Sequence, residues 1–587
     1  MRTSPIHAFA AALAMAFVAC NASDKGAANG TGATTGAATG AASASASVAN
    51  ANWAAYNNDP ASTRYSSLAE ITTQNVASLK PVCEIRLGEE GAFETGPVVI
   101  GDTMFVTTPH STVALNATNC AVIWRSVDRP KQKDVFPVNR GVAYLDGRVF
   151  RGTPDGRLLA LDANSGKVLW DVQAGDPKIG EFLSSAPIAW NGMIFTGVAG
   201  SDWGVRGHMM AFDAATGKEK WRFYTVPMGS DAGADSWKIP GTAKRGGGAQ
   251  WTSYTLDPQS GELFVPVANP APDFAPESRP GDNLYTNSVV VLDANTGQLK
   301  WYYQLTPNDG FDWDLGAAPM LYTAPDGSAR VALGSKDGYV YAVDRGSHKQ
   351  AFRTAVTTIE VPKTPPTAQG VHACPGPLGG VEWNGPAYDP QTKMIYAGTV
   401  DWCAEYKSTK TPAYTPGQFY FGTSYSPGAA DTASGWVTAL DAGSGAVKWK
   451  FHAPQPVISG VTPTAGGVVF VGDVAGNFYA FDAATGKALL TYPTGGGIAG
   501  GVITYGIGGK QYVATTSGNV SRTTFKTTGS PTIIIMALNG PASPHKDSLS
   551  DFSKGVVAGS SPTEHAQQGV AHGSAGDSVH PSPAKKP

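Results

Sequence analysis

Charge is scarce in this chain: only 15% of its 587 residues are Asp, Glu, Lys or Arg, and the net charge is −3. A surface so thinly charged, with no basic excess, carries no electrostatic footprint for nucleic acid or for an anionic membrane. Long apolar runs are missing as well. Beyond the N-terminus nothing approaches the ~18 consecutive apolar residues of a membrane-spanning helix. Cysteine is rare, with 5 in all, and the spacings match neither a zinc site nor a Cys-x-x-Cys-His haem attachment. What the chain has in quantity is glycine (71), proline (42) and tryptophan (14). That is the composition of many short strands joined by tight turns.

The first 20 residues read as an export signal, with Arg2 followed by the apolar stretch Ala8 to Ala19. The segment Phe17-Val18-Ala19-Cys20 resembles the lipobox of bacterial lipoproteins, with Phe17 where Leu is usual. Two outcomes stay open: a lipid anchor through Cys20, or ordinary cleavage near Ala19 or Ala22. Both place the mature chain outside the cytoplasm, in the periplasm. The other cysteines are even in number and widely spaced, which suits disulfides in an oxidising compartment. Neighbouring strands would pair Cys83 with Cys120 and Cys374 with Cys403. Residues 21–50, almost all Ala, Gly, Ser, Thr and Asn, are expected to form a flexible tether, and residues 541–587 a disordered tail.

Between these ends the chain repeats. Ala160-Leu-Asp162-Ala-Asn-Ser-Gly166-Lys-Val-Leu-Trp170 and Ala211-Phe-Asp213-Ala-Ala-Thr-Gly217-Lys-Glu-Lys-Trp221 are the clearest copies. Others run from Asp293 to Trp301, Asp441 to Trp449 and Asp482 to Leu490, with weaker versions from Asn116 to Trp124 and Asp344 to Phe352. Each reads as a strand, a turn in which Asp accepts backbone hydrogen bonds and Gly takes a positive φ, and a strand ending in a large apolar residue. The turn Asp residues recur at roughly 40 to 50 positions, the length of one four-stranded propeller blade. Two intervals are about twice as long. The first, Asp213 to Asp293, holds an insertion; the second, Asp344 to Asp441, is expected to hide an unmarked blade around Trp383 to Val400. The fold expected over 51–540 is therefore an all-β, eight-bladed propeller of four-stranded antiparallel blades.

The motif closing on Trp resembles the docking repeat of quinoprotein alcohol dehydrogenases, which bind pyrroloquinoline quinone in an eight-bladed propeller. Non-enzymatic propellers of the outer-membrane assembly lipoprotein type share similar repeats, so a lipid-anchored scaffold is the alternative. Segments between the repeats separate the two. Asn269-Pro-Ala-Pro272, Arg279-Pro-Gly-Asp-Asn283 and Thr306-Pro-Asn-Asp-Gly-Phe-Asp312-Trp-Asp314 resemble the family's metal-ligand, substrate-side and catalytic segments in the same order. The resemblance implies Asp312 as the base that takes a hydroxyl proton while hydride leaves carbon, and Lys336 as the cation facing the quinone carbonyls. It implies Asp202, Asn269, Asp312 and Asp314 as metal ligands, with Asp202 where most relatives have Glu. Hard oxygen donors suit Ca²⁺ or a lanthanide, and Asp314 resembles a feature of the lanthanide-dependent members. Cofactor contacts are implied for Glu94, Arg140, Ser184, Trp251, Lys336 and Trp383. An indole matches a flat ring, and the guanidinium fork matches a carboxylate. The stretches Met228 to Gly246 and Lys407 to Ser426 are expected to rim the cavity. There are departures too. Asp134 and Val135 stand where many relatives have adjacent cysteines, Ala199 where a Ser contacts the cofactor, and Val400 where an Asn is usual. The implied activity is oxidation of a small alcohol or aldehyde, with electrons passed to a separate periplasmic carrier such as a cytochrome c, since this chain has no haem motif.

Overall fold

The computed structural model describes residues 50–549, except 409–412, 521–524, 526 and 528 and the side chain of Thr423. The expected export signal, Cys20, the expected tether as far as residue 49 and the expected tail from residue 550 lie outside the described residues. Among the described residues eight sheets serve as blades, each built on a four-stranded antiparallel ladder; in six of them the strands are consecutive in sequence. Strands grow more solvated away from the centre. In the third blade Met193–Gly197 is buried throughout, whereas the outermost strand Glu219–Tyr224 is half exposed. Apolar residues therefore concentrate between blades, where each sheet packs on the next.

The repeat explains how blades dock. The Trp170 indole donates from Nε1 to the Ala214 carbonyl in the next blade's turn at 3.1 Å, and Trp221 and Trp449 do the same to Ala294 and Ala483 at 3.0 Å. Glycine is required in that turn for two reasons. Gly217 has φ +72°, and a Cβ there would lie 2.9 Å from the Trp170 ring. Asp213 caps the same turn, accepting from the Thr216 backbone and hydroxyl at 3.0 and 2.8 Å. In the fifth blade His348 takes the glycine's place at φ +57°, and Trp301 stacks on its ring with centroids 4.4 Å apart.

The blade count agrees with the repeat, but the unmarked blade is elsewhere. Residues near Trp383 to Val400 do not form a separate blade. Ala387–Asp389 and Met394–Asp401 are the inner strands of the blade whose outer strands, Ser434–Asp441 and Val447–Ala453, carry the Asp441 motif. The extra length of that interval folds instead into a three-stranded sheet of Val371–Ala373, Ala404–Ser408 and Thr423–Pro427. The unmarked blade is the closing one. It takes Val502–Ile507, Lys510–Ser517 and Thr532–Leu538 from the end of the propeller and Leu79–Arg86 from its beginning. Its outer strand is joined by no turn to its neighbour, so there is no turn to carry the motif. His545–Ser548 adds in parallel beside Leu79–Arg86, so ordered chain extends past the expected boundary at 540. Both expected disulfides form, Cys83–Cys120 and Cys374–Cys403.

Candidate active site

On the propeller axis lies a cavity of about 360 Å³, within the range of small-molecule sites. Its walls come from loops that lead into successive blades and, at Asp202 and Lys336, from connections between strands of one blade. These bring Glu94, Arg140, Ser184, Asp202, Trp251, Asp312, Asp314, Lys336 and Trp383 together around one space. Of the residues expected as catalytic, cofactor or metal contacts, only Asn269 does not line it. Asn269 lies directly behind, 1% exposed, with its backbone N–H donating to Asp314 Oδ1 at 3.2 Å.

Asp312 is aimed by a constrained turn. Its φ of +62° is left-handed, a region a non-glycine residue occupies only when its surroundings hold it there. The buried Asp309 carboxylate supplies the hold, accepting from the backbone N–H of Phe311 at 2.9 Å and of Trp313 at 2.8 Å. Phe311 stacks on Trp313, and the Trp313 indole donates to the Pro375 carbonyl at 3.0 Å. Lys336 reaches across from the fifth blade, its Nζ 2.9 Å from Asp312 Oδ2. Its own backbone is fixed by a bond from Lys336 N–H to the Asp314 carbonyl at 2.9 Å.

The carboxylates are crowded and largely buried. Among the described residues, oxygens of Asp202, Asp273 and Asp312 lie within 4.8 Å of one another. Asp314 stands apart from that trio, with Oδ2 accepting from the Trp251 indole at 2.6 Å and Oδ1 from Asn269. Burial, and after it the Asp314 charge, lifts Asp202 to about 6. Burial holds Asp312 well above the carboxylate range. Lys336 pulls it back, while Asp314, Asp202 and Asp273 push it up. The Asn269 amide favours the charged form of Asp202, yet neither of its amide atoms reaches a partner at hydrogen-bond geometry. Oxygen donors at this density, with an unsatisfied amide beside them, fit a hard cation.

The opposite wall is aromatic. Trp251 and Trp383 meet edge to face at 6.3 Å, and the Arg140 guanidinium sits 4.8 Å from one ring and 4.9 Å from the other. Arg140 is ion-paired to Glu94 at 2.7 Å, and both Arg140 Nη1 and Ser184 Oγ donate to the Trp251 carbonyl at 3.0 Å. Those bonds fix the indole that a flat ligand would lie against. Trp383 is anchored through its Nε1 to the Ala499 carbonyl at 2.8 Å. Glu382, lifted to about 7 by burial against the pull of Lys336, lines the same space.

Several lining residues were not anticipated from the sequence. They are the apolar wall of Phe136, Phe182, Trp203, Phe274, Phe419 and Phe421. Asp273, buried behind the wall with one oxygen in the carboxylate cluster, was not anticipated either. Of the two expected rims only one is found: Phe419, Phe421 and Tyr425 line the cavity, but nothing from Met228 to Gly246 does. That insertion packs Trp237 and Ala243 against Val226 instead. Asp134, noted above as a departure from the family pattern, forms an ion pair, with Oδ2 2.7 Å from His110 Nε2.

A propeller whose axial loops bring a lysine-paired carboxylate, an acidic cluster and indole walls into one cavity has the architecture of a cofactor-dependent dehydrogenase. Comparison with known proteins agrees. The family described as glucose/ethanol/alcohol dehydrogenase, β-propeller domain, matches residues 53–353, and that of the outer membrane protein assembly factor BamB matches residues 433–530. The lanthanide-dependent methanol dehydrogenase of Methylacidiphilum fumariolicum is 33% identical, over 79% of this chain and 84% of its own. A quinohemoprotein alcohol dehydrogenase of Pseudomonas putida, ADH-IIG, is 30% identical over 80% of this chain and 72% of its own. Among solved structures, a europium-containing methanol dehydrogenase superposes with a TM-score of 0.77 at 30% identity, covering 83% of this chain and 98% of that one. The chain belongs to the quinoprotein alcohol dehydrogenase family of β-propellers.

Proposed function

We propose that the axial cavity holds pyrroloquinoline quinone and a metal ion and oxidises an alcohol or aldehyde beside them. The observation that carries this reading is the convergence of Asp312, its partner Lys336 and the carboxylate cluster on a space walled by Trp251 and Trp383. The two indoles suit a planar ring, and the Arg140 fork and Ser184 hydroxyl suit its oxygen substituents. The carboxylates and Asn269 suit a lanthanide or Ca²⁺. When bound, the quinone supplies a two-electron acceptor and the metal a Lewis acid.

The protein's part is positioning and proton transfer. A substrate hydroxyl between the acidic cluster and the aromatic wall lies within reach of Asp312, which accepts its proton as two electrons leave with the carbon-bound hydrogen. Lys336 keeps a positive charge 2.9 Å from that carboxylate, where it would stabilise negative charge developing on a bound acceptor. Phe274, Phe419 and Phe421 put apolar surface against the same space, which would limit water beside the reacting groups. A scaffold reading leaves this arrangement without a use, because burying several carboxylates together lowers stability.

Both disulfides support export to the periplasm, where electrons would pass to a separate carrier such as a cytochrome c. Lipid attachment at Cys20 is the open alternative to simple release from the membrane. The purified chain, supplied with the quinone and either Ca²⁺ or La³⁺, is expected to reduce an artificial dye when given primary alcohols. Asp312→Asn should lower kcat by about 10²- to 10⁴-fold while retaining the bound-quinone absorbance. Neither dye reduction nor cofactor absorbance across a broad alcohol panel would overturn the proposal.

A further inference from the structure

We propose that Asp273 is a metal ligand, closing with Asp202 and Asp312 a three-carboxylate clamp matched to a trivalent cation. The inference rests on the reading that the axial site holds a metal, and it goes further by assigning a ligand outside the set implied by resemblance.

Three observations support it. Asp273 is 1% exposed, and neither carboxylate oxygen has a hydrogen-bond partner. A buried carboxylate without a partner is strongly disfavoured, so a residue left in this state has a use for those oxygens. Second, one of its oxygens lies within 4.8 Å of oxygens from both Asp202 and Asp312. Two oxygens on a single ion at about 2.3–2.6 Å stand at most ~5 Å apart, so one cation can touch all three residues. Third, the nearest guanidinium is turned to other work. Arg279, buried behind the loop, donates to the Pro272 and Asp273 backbone carbonyls at 3.1 and 3.0 Å and to Asn283 Oδ1 at 2.9 Å. It fixes the loop and leaves the Asp273 side chain facing the cluster.

The charge count then selects the ion. Three carboxylates on one cation neutralise +3, and Asp314 adds a fourth negative group alongside while Lys336 offsets one. A divalent ion would leave the clamp anionic in a largely buried site. Asp314 is better placed to orient than to ligate, since both of its oxygens already accept N–H donors from Trp251 and Asn269.

Tb³⁺ is the probe, because its luminescence is sensitised by a nearby indole and Trp251 is bonded to the cluster through Asp314. The chelator-stripped full chain is titrated with Tb³⁺, then with Ca²⁺ in competition. Saturable one-site luminescence is expected for the wild type, with Ca²⁺ competing poorly. Asp273→Asn should weaken Tb³⁺ binding by roughly tenfold or more and narrow the preference over Ca²⁺. Without metal, the same variant should be as thermally stable as the wild type or more so, because it removes an unpartnered buried charge. A lower metal-free midpoint would identify a structural role and overturn the proposal. Unchanged Tb³⁺ affinity in Asp273→Asn would overturn it while leaving the metal reading intact. No saturable luminescence in the wild type would remove both.

Discussion

Side chains that lie far apart in sequence decide most of what is specific to this chain. His110 bridges two acids, its Nδ1 3.0 Å from Glu89 and its Nε2 2.7 Å from Asp134, and so ties the loop ahead of Phe136 to the first blade. Burial opposes its charge, but hydrogen bonds to Asp134 and Glu89 outweigh burial and raise it to about 9. Burial also opposes ionisation of Glu89, and bonds from His110, Thr108 and Ser111 prevail to bring it down to about 2. A raised histidine stabilises the fold fully below its unfolded value of about 6.5, and that contribution fades as pH rises through about 9. The depressed Glu89 contributes above about 4.5 and loses its share as pH falls toward about 2. Stability from this triad should therefore peak between those unfolded values. Replacing His110 by Asn should flatten the decline in melting temperature between pH 6.5 and 9. The loss is roughly 1–2 kcal/mol after solvent screening is allowed for, and a wild-type midpoint that does not change across that interval would contradict the assignment. Such contacts are not readable from sequence. Asp134 registers there only as a missing cysteine, and Asp273 only as the residue after a Pro. Asp312 and Asp202, which give Asp273 its meaning, come from other loops and meet it only when the propeller closes.

At the level of the element, the docking turn was readable because its residues are local and each has one physical job. The turn Asp caps, the glycine takes a positive φ, and the strand ends on an indole aimed at the next blade. The closing blade was invisible to the same reasoning, because its strands come from opposite ends of the chain and need no marked turn between them. The glycine argument can be tested against an internal control. Gly217 and Gly192 have nearly equal φ, +72° and +71°, but a Cβ at Gly217 would meet the Trp170 ring at 2.9 Å while one at Gly192 would meet nothing within 4 Å. Gly192→Ala should cost about 1 kcal/mol, the backbone penalty alone. Gly217→Ala should cost about 2–4 kcal/mol, because the indole must also move. Equal denaturation midpoints for the two variants would mean that docking tolerates displacement of the indole and that only φ matters.

For the whole molecule the decisive event is ring closure. Leu79–Arg86 completes the last blade by pairing with Thr532–Leu538, so the seam joins residues from opposite ends of the propeller. Cys83 lies in that strand, and its disulfide to Cys120 fastens the strand to the first blade. The two bridges close loops of similar span, with sequence separations of 37 and 29 residues. In the chain-entropy account each is then worth about 4 kcal/mol. Their consequences should differ by location instead. Cys374–Cys403 anchors the loop that carries Pro377 and Leu378 into the cavity wall and offers the Pro375 carbonyl to Trp313 beside Asp312. Cys83→Ser with Cys120→Ser should speed amide exchange along Thr532–Leu538 while leaving dye reduction by the quinone-loaded protein little changed. Cys374→Ser with Cys403→Ser should do the reverse, lowering activity while the seam stays protected. Both pairs are measured by exchange mass spectrometry alongside steady-state rates. If the first pair left the seam protected, closure would depend on strand pairing alone. The seven paired positions between Leu79–Arg86 and Thr532–Leu538 would then be enough to hold the ring without a covalent clasp.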